Sequence, residues 1–202
     1  MDSHDRRSRI LRAASGLFIE KGYAGVSMED VLSAVGGSKS TLYRYFADKT
    51  DLFRAAVEML IDERSQPLNA FHPADSGVAG ALTEFGHTFA EIVLAPPAIA
   101  LHRLITAEAD RVPGLGQTFF EHGPARGNAI LGEYLRGQCD AGVIALADPL
   151  LASAQLFQAM LGSLQMRLLT NASAPTAEEI DASITAAVET FLQGALPRAA
   201  AG

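Results

Sequence analysis

Apolar residues recur at helical spacing along nearly the whole chain, and no stretch of useful length alternates as a strand would. From about Asp5 to Lys21, Ile10, Ala14, Leu17 and Phe18 share one face, and Gly22 stops the helix. Val31, Leu32 and Val35 stripe a short helix that Ser27 and Asp30 cap reciprocally. Leu42 and Phe46 stripe a second short helix, to Phe46, that Ser38 caps. Asp48 opens a fourth, roughly Lys49 to Ser65, with Leu52, Phe53, Ala56, Val57 and Leu60 inward. From Gln66 to Gly77, the cluster of Pro67, Asn69, Pro73, Asp75, Ser76 and Gly77 predicts a boundary.

Beyond that boundary the pattern stays helical. Leu82, Phe85, Phe89, Ile92 and Val93 mark a helix over 78–94, and Pro96-Pro97 fits the first turn of the next, which Val112-Pro113-Gly114 ends. Segments over 116–122 and 124–141 follow, the second carrying Ile130, Leu131, Tyr134 and Leu135. Asp148-Pro149 opens a charge-poor helix to about Leu169. Thr176 and Glu179 form a capping box for the last helix, with Ile180, Ile184, Val188, Phe191 and Leu192.

The stretch from Ser27 to Phe46 carries the most chemistry. Two short helices joined by Gly36-Gly37 make a helix-turn-helix. The second helix has Lys39, Ser40, Thr41, Tyr43, Arg44 and Tyr45 on its open side, side chains suited to phosphates and base edges in a major groove. A solvated hairpin is the plainer reading. Two tyrosines beside two cations and three hydroxyls are an odd way to make a surface soluble, and favour recognition. Arg6, Arg7, Arg9 and Arg12 on the first helix fit phosphate contacts beside it.

The run from Gly36 to Phe53, with Ser38-Lys39-Ser40-Thr41-Leu42-Tyr43-Arg44-Tyr45-Phe46, Lys49 and Leu52-Phe53, resembles the DNA-binding domain of the TetR/AcrR transcriptional regulators over about the first 60 residues. It departs at Gly37, where that family usually has an apolar residue, and at Ser27, where threonine is commoner and the hydroxyl is kept. The second half also has a resemblance. Leu101-His102-Arg103-Leu104-Ile105 with Glu108, Pro113, Phe119-Phe120 with Gly123-Pro124, Ala141-Gly142 and Asp148-Pro149 look like the C-terminal domain of AefR-like members, over roughly residues 75 to 170.

Charge sharpens this picture. The chain carries −7, but residues 1–49 balance at +2 and hold all three lysines, leaving −9 for the rest. A mildly basic head on an acidic body suits binding nucleic acid through one end. The lone Cys139 excludes an internal disulfide and suggests a reducing compartment. The N-terminus leads into no apolar signal segment. The charge-free run from Pro149 to Met166 is long enough to span a membrane, but Gln155, Gln158 and Gln165 predict a helix buried against protein. No catalytic motif stands out: there is no Gly-x-Ser-x-Gly, no phosphate-cradling loop, no histidine at ligand spacing from Cys139, and His102 and Glu108 do not project side by side.

The expectation is an all-α chain. Residues 1–50 form a three-helix helix-turn-helix domain, 51–65 a connecting helix, and 66–202 a helical effector-binding and dimerisation domain. The resemblance implies a cytoplasmic, homodimeric transcriptional regulator, a ligand-responsive repressor of a palindromic double-stranded DNA operator, with no membrane partner, cofactor, metal or enzymatic activity. The expected DNA contacts are Arg6, Arg9, Ser27, Met28, Ser38, Lys39, Ser40, Thr41, Tyr43, Arg44, Tyr45 and Lys49. Phe89, His102, Arg103, Phe119, His122, Gln155 and Gln158 are candidates to line an effector cavity for a small apolar or amphipathic molecule, against the plainer reading of core packing. The last two helices are the expected dimer contact, through Leu156, Met160, Leu164, Ile184, Val188 and Phe191. The rival readings are a helical sensor that has lost operator binding and an enzyme with an unrecognised pocket.

Overall fold

A computed structural model describes residues 3–71 and 76–195. Pro73 and Asp75 of the expected boundary, and the alanine-rich tail, lie outside the described residues. The described residues hold ten α-helices, one π-helical segment and no strand: α1 Ser3–Lys21, α2 Met28–Val35, α3 Lys39–Tyr45, α4 Lys49–Asn69, α5 Gly77–Val93, α6 Pro96–Glu108, α7 Leu115–Phe120, the π-helical segment Glu121–Ala125, α8 Arg126–Asp140, α9 Pro149–Leu169 and α10 Ala177–Ala195.

The chain divides into two compact units. The first takes in residues up to Arg64 together with Ala100–Gly123; the second takes Ser65–Ile99 and residues from Pro124 onward. Residues 100–123 thus pack with the N-terminal helices, although the sequence places them well past the boundary near residue 66. The core of the first unit gathers Ile10, Leu11, Ala14 and Phe18 of α1 with Val31, Leu42, Phe46, Leu52, Phe53, Leu101, Ile105 and Leu115, all nearly inaccessible to water. Phe18 and Phe53 meet at 4.6 Å and Tyr23 lies 5.1 Å from Phe53. Burial of Phe18 and of Phe53 contributes about 1.5–3 kcal/mol each of transfer free energy.

In the second unit α9 lies among α5, α8 and α10. Leu156, Phe157, Met160, Leu161 and Leu164 are buried in α9, and its N-terminus is capped by Asp148, whose carboxylate accepts from the Leu150 and Leu151 amides at 3.0 Å. The glutamines read correctly: α9 is a core helix, and no single helix among the described residues is long and apolar enough to cross a membrane. Gly86 of α5 permits close packing, since a Cβ there would stand 2.7 Å from Ile184 Cγ2 and 3.2 Å from Met160 Sδ. The Thr176–Glu179 capping box forms, and Arg167 adds a two-pronged hydrogen bond to Glu179 at 3.0 and 3.2 Å.

Two predicted breaks are not breaks. α4 continues past Ser65 through Pro67 to Asn69. A proline removes one backbone bond, and burial of Leu68 to 4% exposure in the following turn offsets the loss. Gly123-Pro124 does not separate two helices either. The chain passes from α7 to α8 through the π-helical segment, whose wider turn accommodates the proline.

Candidate nucleic-acid interface

The helix-turn-helix is built from local hydrogen bonds that its sequence encodes. Ser27 Oγ accepts from the Asp30 amide at 3.1 Å, and the Asp30 carboxylate accepts from the Ser27 amide at 2.7 Å. The Ser27 hydroxyl also donates to the Asp30 carboxylate at 2.5 Å, and this bond first and the bond from the Ser27 amide second hold the Asp30 carboxyl below its ordinary value. Ser38 Oγ accepts from the Thr41 amide at 3.2 Å and lies 2.9 Å from both Ser40 Oγ and Thr41 Oγ1. Between the helices the backbone needs glycine twice, at Gly36 (φ 68°) and Gly37 (φ 106°).

Arg6 fastens this turn. Its guanidinium donates to the Gly36 carbonyl and occupies the place a Cβ on Gly37 would take. The sequence marks Gly37 as a departure; the structure gives it a reason, because the arginine covers a residue that has no side chain.

α3 buries Leu42 and turns its polar side outward. Tyr43 is 48% exposed, and Lys39, Ser40 and Arg44 are exposed, with Thr41 and Tyr45 half-buried. Lys39 Nζ donates to Glu29 Oε1 of α2 at 2.6 Å. That bond, and then the charge of Glu29, raise the Lys39 pKa; the same bond lowers that of Glu29. Arg44 lies over the Tyr45 ring at 5.1 Å and donates to its hydroxyl at 3.2 Å, while Tyr45 packs its ring on the core. Lys49 donates to the Tyr23 carbonyl at 3.0 Å and sits 4.3 Å from the Tyr23 ring centre. Arg9 is exposed on α1, Ser27 is half-buried at the start of α2, and Arg7 lies 5.5 Å from the Phe46 ring centre. Met28 is corrected: its side chain is 8% exposed and packs in the core, so only its backbone at the first turn of α2 can face a partner. Glu29 is the member that sequence reasoning missed, since its link to Lys39 spans ten residues and two helices.

The effector candidates do not gather within either unit. In the first, His102 lies 5.2 Å from Phe119, and burial lowers its pKa. Arg103 is exposed, and His122 Nδ1 stands 3.2 Å from Asp62 Oδ1. In the second, Phe89 packs edge-on against Phe157 at 4.2 Å, while Gln155 and Gln158 are exposed. A surface depression is lined by Cys139, Gly142, Ile144, Ala145, Leu146 and Ala147, none of them expected from sequence.

The dimer residues are corrected too. Leu156, Met160, Leu164, Ile184 and Val188 are at most 6% exposed within their own chain, and Phe191 is half-buried against the same core. A side chain already enclosed cannot meet a second copy. The outward side of α9 instead carries Leu151 (56% exposed), Gln155, Gln158, Ala159 and Met166 (58%), and that of α10 carries Ala182, Thr185 and Ala186.

Comparison with known proteins divides the chain in sequence order. Residues 10–56 match the model of the tetR family of bacterial regulatory proteins, and residues 80–194 match the C-terminal domain of AefR-like transcriptional repressors. The structure of the flavonoid-responsive regulator FrrA is 31% identical, with a TM-score of 0.83, covering 97% of this chain and 100% of that one. A TetR-family transcriptional regulator from Mesorhizobium loti MAFF303099 is 28% identical, with a TM-score of 0.82, covering 98% and 100%. The transcriptional activator FasR of Mycolicibacterium smegmatis is 34% identical over 58 residues, 29% of this chain and 26% of FasR. The chain thus spans about a quarter of that curated relative's length. These three proteins are named as regulators.

Proposed function

We propose, on the premise that this chain belongs to the TetR family of bacterial regulators, that it is a DNA-binding transcriptional regulator acting as a homodimer on a palindromic operator in the cytoplasm. The outward face of α3 carries the reading: Tyr43, Arg44, Lys39 and Ser40 are exposed on a helix whose opposite side is locked into the core by Leu42. Tyr43 and Ser40 are suited to base edges, and Lys39, Arg44 and Arg9 to phosphates. Residues 1–50 serve as the DNA-binding domain and 66–202 as the effector and dimer domain, joined by 51–65.

One α3 reads too few bases for useful specificity. Two on a two-fold axis, about 34–36 Å apart, read successive major grooves. The outward sides of α9 and α10, with Leu151, Ala159, Met166, Ala182 and Ala186, supply the surface for a four-helix interface between copies. Repression is favoured over activation by the likeness of residues 80–194 to a repressor domain. A small apolar or amphipathic effector releases the operator by favouring one dimer shape; a 100-fold preference corresponds to about 2.7 kcal/mol of coupling. A flavonoid is a reasonable first probe, given the name of the full-length neighbour.

Selection of bound fragments from random DNA, followed by footprinting, tests the reading. It should yield a palindrome with two protected half-sites one helical turn apart, or a multiple of that. Recovery of no common sequence would overturn operator binding and leave a helical sensor.

A further inference from the structure

We propose that Glu58, Asp62 and His122 form a site for one divalent transition-metal ion of the Zn²⁺ type. Glu58 and Asp62 stand one turn apart on α4, so both carboxylates project from the same side. His122 comes from the π-helical segment, 60 residues further on than Asp62, and its ring lies between the two. Nδ1 is 3.2 Å from Asp62 Oδ1 and Nε2 is 3.8 Å from Glu58 Oε1. One ring nitrogen and one oxygen from each carboxylate all lie within 4.8 Å of one another. A tetrahedral ion with bonds of about 2.0–2.2 Å needs its ligands about 3.3–3.6 Å apart. Closing that difference falls to the side-chain torsions of Glu58 and Asp62, both on part-exposed side chains.

The donor set selects the ion. One imidazole with two carboxylates suits Zn²⁺, Co²⁺ or Ni²⁺, whereas Mg²⁺ and Ca²⁺ prefer oxygen alone. The side chains are 30%, 41% and 47% exposed for His122, Asp62 and Glu58, open enough to admit an ion and to leave its fourth position to water. A π-helical turn is uncommon and often marks a functional site; here it is the element that presents His122. A bound ion would tie α4 to the chain just after α7 within the first unit. The site stands apart from the reading of α3, because metal binding is measured on the free protein without DNA.

The test uses the tag-free full chain and Co²⁺, followed by absorption, with Zn²⁺ as competitor. One Co²⁺ per chain should bind, and Zn²⁺ but not millimolar Mg²⁺ should displace it. His122→Gln and Asp62→Asn should each weaken binding tenfold or more, and His87→Gln, beside Asp181 in the second unit, should not. Glu58→Gln, at a half-exposed position, serves where His122→Gln fails to fold. Binding that survives in all the site variants, displacement by Mg²⁺, or no saturation at one ion per chain would each overturn the assignment.

Discussion

Lys39 Nζ lies 2.6 Å from Glu29 Oε1, so the first residue of α3 is tied to α2 by an exposed ion pair across the glycine turn. A cation proposed for phosphate contact is therefore partly neutralised in the free protein. Phosphate must compete with a carboxylate that repels it.

Two substitutions separate these roles. Lys39→Ala should weaken operator and unrelated DNA alike and reduce the slope of log K against log salt by about 2 per dimer. Glu29→Gln should tighten both. A salt titration in which Lys39→Ala leaves the slope unchanged would mean that Lys39 serves only Glu29.

Tyr43 is 48% exposed on the outward side of α3. Tyr43→Ala should leave the melting temperature within about 2 °C, consistent with the small effect of surface substitutions. Discrimination between operator and random sequence should fall by about 1–3 kcal/mol per half-site. Competition footprinting reads the second effect, and an unchanged protection pattern would remove Tyr43 from the base-reading face.

Gly37→Val places a branched side chain at a φ of 106° and drives it into the Arg6 guanidinium. We expect a loss of about 1–3 kcal/mol in urea denaturation from backbone strain. Adding Arg6→Ala should recover the part due to overlap, because the two residues are coupled. Strict additivity would show that Arg6 does not cover the turn.

Leu156→Glu and Met166→Glu make opposite predictions. Leu156 is 1% exposed and Met166 58%. A carboxylate at 156 should unfold the second unit, since burying an unpaired charge is costly. At 166 it should give folded monomers in sedimentation velocity with helical content intact. A dimer in the Met166 variant would move the contact off the outward side of α9.

His102 supplies a pH dependence. Burial lowers its pKa, so the folded value lies below the unfolded 6.5. Its contribution is present above the unfolded value and is lost as pH falls through the folded one. Stability should therefore drop as pH falls below about 6.5, and His102→Phe should make that drop smaller. An equal drop in the variant would assign the proton to another group.

The sequence alone determined what depends on neighbours along the chain. Helical periodicity, the caps at Ser27, Ser38, Asp148 and Thr176, and the outward set on α3 are settled within a few residues, where backbone geometry leaves little choice. The charge-poor α9 was also legible as a core helix, because its glutamines disfavour lipid. Tertiary structure decided whatever joins distant residues. Arg6 meets Gly36 across 30 positions and His122 meets Asp62 across 60, and no periodicity announces either. It also decided which apolar residues of α9 and α10 their own chain consumes. Periodicity marks an apolar stripe but cannot say whether the same chain or a second copy covers it, so Leu156, Met160, Leu164, Ile184 and Val188 were read as interface and are core. Pro67 and Pro124 fell on the same side of the line, because burial of Leu68 offsets the cost of the first and a π-helical turn accommodates the second, and only the folded chain provides either.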